Sequence, residues 1–104
     1  MMSLLYLYRD EIYSASITAN GRLNVRDAPD TQSRVLFQVQ RSNKDALFIE
    51  TPSYGSEWCR VRFAIDGQAQ KIRYVDEAYV SRKYINIMPL AYGERQNLIN
   101  IFSK

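Results

Sequence analysis

The sequence predicts an all-β fold, a small antiparallel barrel or sandwich built from a single domain. Several short segments with alternating apolar and polar residues follow one another along the chain, and residues that favour turns separate them. The chain also contains eight tyrosines, and aromatic side chains favour strands over helices. A length of 104 residues suits one domain with a modest core.

We divide the chain into three parts. Residues 1–13 are rich in apolar and aromatic side chains and form an N-terminal extension, either an extra strand packed on the barrel or a segment that faces a partner. Residues 14–88 contain the alternating segments and form the barrel. Residues 89–104 form a C-terminal tail, in which Leu98 and Phe102 lie one helical turn apart. This spacing predicts a short helix at the end of the chain.

The first half of the barrel region predicts four strands. They cover residues 14–19, 23–26, 35–40 and 46–51. Asn20 and Gly21 separate the first two strands, and Asn-Gly is a strong hairpin signal because both residues tolerate positive φ angles. Asp27, Pro29 and Asp30 predict a longer turn after the second strand, because proline interrupts a ladder and aspartate binds backbone amide groups.

Residues 58–65 form the clearest strand of the chain. One predicted face, turned toward the core, carries Cys59, Val61, Phe63 and Ile65. The opposite predicted face carries Trp58, Arg60, Arg62 and Ala64. Asp66 and Gly67 then predict a hairpin, and residues 71–75 form the returning strand.

Three parts of the sequence, residues 23–36, 58–61 and 79–85, resemble a known domain family. Residues 23–36 read Leu-Asn-Val-Arg-Asp-Ala-Pro-Asp-Thr-Gln-Ser-Arg-Val-Leu, which resembles the opening of the bacterial SH3-like (SH3b) domain, typically LNVR-small-x-P-x-T-x-S-x-V-[IL]. Two overlapping segments, residues 74–80 and 79–85, resemble the closing motif of that family. We prefer the second, because Ala78 supplies the small residue before the aromatic and a short 3₁₀ turn usually precedes the last strand. This choice implies a hairpin longer than is usual in the family.

The resemblance covers residues 14–85 and implies an SH3-like barrel that binds its ligand across an aromatic-rich groove. The candidate ligand-binding residues are Tyr54, Trp58, Tyr74 and Tyr79, together with Arg60 and Arg62. Trp58 is the best single candidate because it lies opposite the predicted core row of its strand, and a packing role at the barrel edge is the alternative. Arg26 matches a family position that often braces the following turn.

The sequence contains no constellation typical of catalysis. It has no histidine, the commonest general base and metal ligand, and its one cysteine, Cys59, is expected to be a buried and inert thiol. Asp27 and Asp30 are better explained as turn residues, and the neighbours Asp76 and Glu77 would point to opposite faces of a strand. We therefore expect a protein that is not an enzyme and that binds no metal or organic cofactor.

The leading interpretation is a non-catalytic binding module that recognises a peptide or protein segment. Because SH3b domains commonly target the cell wall, the resemblance implies recognition of peptidoglycan as one alternative. A second alternative is an inhibitor, immunity or assembly protein that acts through its terminal extensions, the apolar residues 4–8 and 98–102. Either extension would then mediate partner binding or homodimerisation, whereas the simpler interpretation is that the two pack on each other.

A third alternative is a binder of single-stranded nucleic acid. One predicted hairpin carries a set of basic residues beside two aromatic ones: Arg60, Arg62, Lys71 and Arg73 beside Trp58 and Tyr74. The net charge is only +3, from 14 basic and 11 acidic residues, and Asp66, Asp76 and Glu77 dilute this patch. Nucleic acid is therefore the partner that we disfavour.

The N-terminal apolar run gives an expectation about location. Residues 4–8 are fewer than the roughly 7–15 residues of a signal-peptide core, and Asp10 and Glu11 follow at once. No stretch approaches the roughly 18 apolar residues of a membrane span. The chain as written is therefore expected in the cytoplasm with no membrane partner, or outside the cytoplasm if a signal has been removed.

Overall fold

The computed structural model describes residues 12–50 and 56–102 of the chain, and in them one antiparallel sheet followed by a helix. The strands are β1 (Ile12–Ile17), β2 (Arg22–Arg26), β3 (Val35–Gln40), β4 (Ala46–Glu50), β5 (Trp58–Asp66), β6 (Lys71–Ser81) and β7 (Ile85–Pro89). Their order across the sheet is β3-β2-β6-β5-β4-β1-β7. Short 3₁₀ turns cover Arg41–Asn43 and Arg82–Tyr84, and helix α1 spans Tyr92–Phe102. The predicted all-β architecture with a C-terminal helix is confirmed at this level.

The main core lies on one face of the sheet and receives side chains from all seven strands. Its buried members are Ala15, Ile17, Leu23, Val25, Val39, Leu47, Ile49, Cys59, Val61, Ala64, Ala78, Val80 and Ile85. Val39 and Ile85 belong to the strands at the two ends of the sheet, so the sheet curls around this one cluster. Within the described residues the two end strands, β3 and β7, do not pair, and the observed architecture is a curled sheet.

A second cluster lies on the outer face of the sheet, under helix α1. Its buried members are Ile12, Phe48, Phe63, Ile65 and Leu98. The rings of Phe48 and Phe63 stack with centroids 4.6 Å apart, and the two residues are direct cross-strand partners. Leu98 from the helix is only 2 % exposed, so the helix covers an apolar patch that the outer face of a curled sheet would otherwise expose to water.

The predicted single core row of β5 is wrong, because a β-bulge divides it. Opposite β4, Ile49 pairs with Val61 and Phe48 pairs with Phe63, so Arg62 is an extra residue on β5. The extra residue reverses the alternation. Cys59 and Val61 therefore point into the main core, whereas Phe63 and Ile65 point to the outer cluster. Ala64, predicted to face outward, is buried in the main core.

The adjacent strand β6 is irregular at the same level. Val61 pairs with Ala78 and Phe63 with Tyr74, so three residues of β6 stand opposite one residue of β5. Among them Glu77 has a φ angle of +50°, in the left-handed region that non-glycine residues rarely adopt. The hairpin thus ends in a bulged strand of eleven residues.

Most predicted turns are found where the sequence places them. Gly21 has a φ angle of +91° in the β1–β2 turn, a conformation that glycine adopts without strain. The 3₁₀ turn Arg82–Tyr84 leads into the last strand, as the preferred closing segment predicts. The first strand begins at Ile12, two residues earlier than predicted, and so takes in the end of the predicted N-terminal extension. The rest of that extension and the loop at residues 51–55 lie outside the described residues.

Helix α1 begins with a local capping arrangement. Glu94 Oε1 accepts a hydrogen bond from the backbone N–H of Ala91 at 3.3 Å, and the backbone N–H of Arg95 donates to the carbonyl oxygen of Ala91 at 3.0 Å.

No helix in the described part of the chain is long and apolar enough to cross a membrane. The radius of gyration of the Cα atoms, 12.8 Å, is that of a compact domain of about 100 residues.

Candidate functional site

A groove of about 710 Å³ lies beside β2 and is also lined by Trp58 of β5, Ser81 of β6 and residues of the neighbouring turns. Two aromatic, three basic and several small or polar residues line it: Ala19, Asn20, Arg22, Leu23, Asn24, Arg26, Thr31, Trp58, Ser81, Lys83 and Tyr84. The Tyr84 side chain is 41 % exposed and that of Trp58 is half-buried, so both rings remain accessible from the groove. Grooves of this size with aromatic walls and a few polar groups are typical ligand sites.

Strand alternation explains why β2 presents polar side chains to the groove. Leu23 and Val25 are buried in the main core. Arg22, Asn24 and Arg26 therefore face outward, because successive strand residues point to opposite sides of the sheet. The same residues that mark this segment as a half-buried strand thus supply one wall of the groove.

The pairing of β2, β6 and β5 sets the level of Trp58, on β5, relative to the two arginines on β2, two strands away. Arg26 pairs with Tyr79, and this antiparallel register carries Ser81, two residues further along, to the level of Asn24. Ser81 in turn pairs with Trp58. Trp58 therefore lies level with Asn24, the residue midway between Arg22 and Arg26.

The long turn after β2 forms the next wall, and Arg26 braces it. Nη1 of Arg26 donates a hydrogen bond to the carbonyl oxygen of Ser33 at 2.7 Å, and the hydroxyl of Ser33 donates to the carbonyl oxygen of Ala28 at 2.9 Å. These bonds hold the turn that presents Thr31 to the groove. The bracing role that the resemblance implies for Arg26 agrees with this contact.

Asp27 and Asp30 bind backbone groups of the same turn. Oδ1 of Asp30 accepts a hydrogen bond from the backbone N–H of Gln32 at 2.6 Å, and Oδ1 of Asp27 accepts one from the backbone N–H of Arg34 at 3.1 Å. Aspartate commonly stabilises turns in this way. The structure therefore confirms the predicted turn chemistry for both carboxylates.

The groove has a positive lining. Arg22, Arg26 and Lys83 contribute three cations, and its lining residues, all from the described ranges 12–50 and 56–102, include no carboxylate. Nζ of Lys83 lies 5.5 Å from the ring centroid of Tyr84, within cation–π distance. An anionic group bound here would meet positive charge from these three side chains.

The structure brings together only some of the residues predicted for the site. Trp58 lines the groove, and Arg60 and Tyr79 are cross-strand partners in the neighbouring row of the sheet, outside the lining. Arg62 is turned toward β4, where Nη1 donates to Glu50 Oε1 at 2.5 Å. Two predicted site residues, Tyr54 and the side chain of Tyr74, lie outside the part of the chain that the structure describes.

Sequence reasoning missed two contributors to the groove. Tyr84 lies within the preferred closing segment, but the prediction treated that segment as structural. Arg22 shares the alternation that places Asn24 and Arg26 away from the core, so it could have been assigned to the same outward row. Nothing local could connect that row to Trp58, because their proximity depends on the pairing of β2 with β6.

The basic residues of the β5–β6 hairpin do not form one patch. Arg60 and Arg62 both lie near Glu50, with N–O distances of 3.9 and 2.5 Å. Nη2 of Arg73 lies 3.1 Å from Asp66 Oδ2, and its guanidinium lies 5.0 Å from the ring centroid of Phe37. The arginines that suggested a nucleic-acid platform are therefore divided into two separate groups, Arg60 and Arg62 beside Glu50, and Arg73 beside Asp66.

Cys59 is buried in the main core, at 2 % exposure. Burial raises the pKa of its thiol, and the positive charge of Arg82 lowers that pKa to a smaller extent. A raised pKa reduces the thiolate that acts as nucleophile or metal ligand. Within residues 12–50 and 56–102, no group of three or more His, Cys, Asp or Glu side chains is arranged to hold a metal ion.

Comparison of the chain with protein-family models, with curated proteins and with solved structures finds no significant match.

Proposed function

We propose that this chain is a non-catalytic binding module that recognises a peptide or protein segment in the groove around Trp58. The observation that carries the proposal is the pair of aromatic residues, Trp58 and Tyr84, that line one groove. Polar side chains of β2 and β6, Asn24 and Ser81, line the same groove and can form hydrogen bonds with a ligand. Aromatic side chains supply a large contact area at a low cost in conformational entropy, and polar tips orient the ligand.

We also propose that the curled sheet is an SH3b-like barrel. Three features support this: the turn after β2 with its Arg26 brace, the 3₁₀ turn Arg82–Tyr84 before the last strand, and the main core that strands from both ends of the sheet share. In that architecture the groove beside the long turn is the expected ligand site, which agrees with the position of Trp58.

The test compares Trp58→Ala with the intact chain and with Tyr92→Ala. Tyr92 is 77 % exposed at the start of α1 and does not line the groove, so its loss is a matched control for removing an exposed ring. Each protein is immobilised and exposed to a lysate of the source organism and, separately, to its purified cell wall. Captured proteins are identified by mass spectrometry, and the free energy of unfolding is measured by urea denaturation.

We expect Trp58→Ala to reduce capture of a specific protein at least tenfold and to lower stability by less than the about 3–5 kcal/mol typical of a truncated core aromatic. Tyr92→Ala should retain capture. The opposite pattern for Trp58→Ala, a large loss of stability with unchanged capture, would assign Trp58 to packing and refute the site. If the protein binds purified cell wall and captures no specific protein, the ligand is peptidoglycan and not a protein segment.

A further inference from the structure

Several basic residues near this sheet differ in their acidic partners. Arg62 and Arg73 lie within 2.5 and 3.1 Å of Glu50 and Asp66. The basic residues of the groove, Arg22, Arg26 and Lys83, form no ion pair with any carboxylate among residues 12–50 and 56–102. Within residues 12–50 and 56–102, Arg62 and Arg73 are thus paired with carboxylates, whereas the three cations of the groove are not, and a bound anion would meet their positive charge.

The spacing of these charges suits an extended chain. Arg22 and Arg26 lie four residues apart on one strand face, which corresponds to roughly 13 Å. Trp58 lies level with the residue midway between them. Trp58 belongs to β5 and the two arginines to β2, with β6 between the two strands. A peptide extended over β6 repeats its same-side residues at roughly 7 Å intervals, so residues i and i+4 match the levels of the two arginines and residue i+2 matches the level of Trp58.

We infer that the groove binds an extended peptide with the pattern acidic–x–apolar–x–acidic, an inference that rests on the proposed function. The two carboxylates pair with Arg22 and Arg26, and the apolar side chain contacts Trp58. Arg26 retains donors for this role, because a guanidinium carries five N–H groups and the bond to Ser33 uses one nitrogen, Nη1. Lys83 strengthens the positive field at the same groove.

The experiment uses the full chain and a library of random heptapeptides displayed on phage. Clones are selected on the intact protein after subtraction on Trp58→Ala, so the retained clones depend on Trp58. Two defined probes then quantify the charge term: Gly-Glu-Ser-Phe-Ser-Glu-Gly and its Gln-for-Glu counterpart. A third probe, Gly-Ser-Glu-Phe-Glu-Ser-Gly, keeps the composition and moves both acids to the other side of the strand.

Binding is followed by the emission of Trp58, the single tryptophan of the chain. We expect enrichment of acids two residues before and after an apolar residue, and a Glu probe that binds about threefold to tenfold more tightly than the Gln and shifted probes. Arg22→Gln should remove this preference, and 0.5 M salt should weaken it. Lys71→Gln, an equal charge change on the exposed hairpin and outside the groove, should leave it intact.

The outcomes separate the inference from the proposed function. Trp58-dependent clones without the acidic pattern would overturn the inference and leave a peptide-binding groove. A library without Trp58-dependent clones would overturn both. In a competition experiment, an oligothymidine and unlabelled Glu probe each compete with the bound Glu probe. If the oligothymidine displaces it at the lower concentration, the inference is overturned in favour of a nucleic-acid ligand.

Discussion

Gly67 lies where the β5–β6 hairpin meets the turn between β3 and β4. Its backbone N–H donates to Oδ1 of Asp45 at 2.8 Å, and the same carboxylate accepts a hydrogen bond from the backbone N–H of Gln40 through Oδ2 at 2.9 Å. A Cβ atom at Gly67 would overlap the carbonyl groups of Asn43 and Lys44, which are backbone and cannot rotate away. Glycine is therefore required here for space and not for an unusual φ angle.

We predict that Gly67→Ala destabilises the protein by about 1–3 kcal/mol, because the two turns must separate to admit the methyl group. Urea denaturation followed by circular dichroism measures the change. Gly93→Ala is the matched control, since a Cβ at Gly93 meets nothing within 4 Å and alanine favours a helix. Equal stabilities for Gly67→Ala and Gly93→Ala would contradict the close contact between the two turns.

Asp66 closes the same hairpin and gives a prediction about pH. Backbone N–H groups of Ala69 and Gln68 donate to its Oδ1 at 3.0 and 2.9 Å, and these bonds, followed by the Arg73 guanidinium, lower the pKa of the carboxyl below its ordinary value. Because the pKa of Asp66 is lower in the folded chain than in the unfolded chain, its ionised form stabilises the fold at pH values above the unfolded-state pKa. That contribution is lost as the pH falls through the lower, folded pKa.

We predict that Asp66→Asn is less stable than the intact chain at pH 7, and that the difference disappears once acid protonates Asp66. Asparagine can still accept the two backbone hydrogen bonds, so the pH-dependent term is the charge. Urea midpoints measured from pH 7 to pH 2 test this. Asp66→Ala, which also lacks the acceptor, should stay destabilised at every pH, and a constant gap for Asp66→Asn would contradict the charge argument.

At the scale of elements, helix α1 and the bulge of β5 depend on each other. The bulge at Arg62 directs Phe63 and Ile65 to the outer face, and Leu98 of the helix covers the cluster that they form. Without the bulge, both side chains would compete for the main core. Without the helix, they would contact water.

We predict that Leu98→Ala costs about 2–4 kcal/mol, because it removes buried methyl groups and leaves a cavity against Phe48 and Phe63. Thermal unfolding and urea denaturation provide the measurement. Asn97→Ala, at an exposed position one residue earlier, should be neutral or slightly stabilising because alanine is the better helix former. Equal stabilities for the two variants would mean that α1 does not pack as described.

Local patterns predicted these elements unequally well. The Asn20-Gly21 turn and the C-terminal helix were predicted because each depends on residues close together in the chain, whereas the 3₁₀ turn Arg82–Tyr84 was expected from the family resemblance alone. The face of Phe63 was not, because uninterrupted alternation assigned it to the row of Cys59. A bulge depends on the register of two partner strands, and no residue near Arg62 is a sequence signal for it.

At the scale of the whole molecule, the two hydrophobic clusters share strands. β4 and β5 contribute Leu47 and Val61 to the main core and Phe48 and Phe63 to the outer cluster. Loss of one cluster should therefore weaken the strands that support the other. This arrangement favours a single cooperative unfolding transition, as is usual for domains of this size.

We predict that Trp58 fluorescence and far-ultraviolet circular dichroism report the same urea midpoint, in the intact chain and in Leu98→Ala alike. Trp58 reports on the groove side of the sheet, whereas the dichroism signal averages over strands and helix. A helix that melts before the sheet would give two midpoints in Leu98→Ala. That result would show that the outer cluster is an independent unit.

The candidate site shows the same division between local and long-range information. Trp58 was predicted from its strand, and Arg26 from the motif that it belongs to. The groove as a whole could not be predicted, because Arg22, Trp58 and Tyr84 come from segments far apart in the chain. The neutralisation of Arg62 and Arg73 by Glu50 and Asp66 was equally invisible, since each pairing depends on strand register.

The sequence by itself therefore determined the strand segments, their turns and the terminal helix, because alternation, turn chemistry and helical spacing act over a few residues. The tertiary structure decided the strand order, the bulge that divides β5 between two clusters, and the meeting of Trp58 with the basic row of β2. These features arise from pairing between distant residues, where the energy of many buried contacts outweighs any local preference.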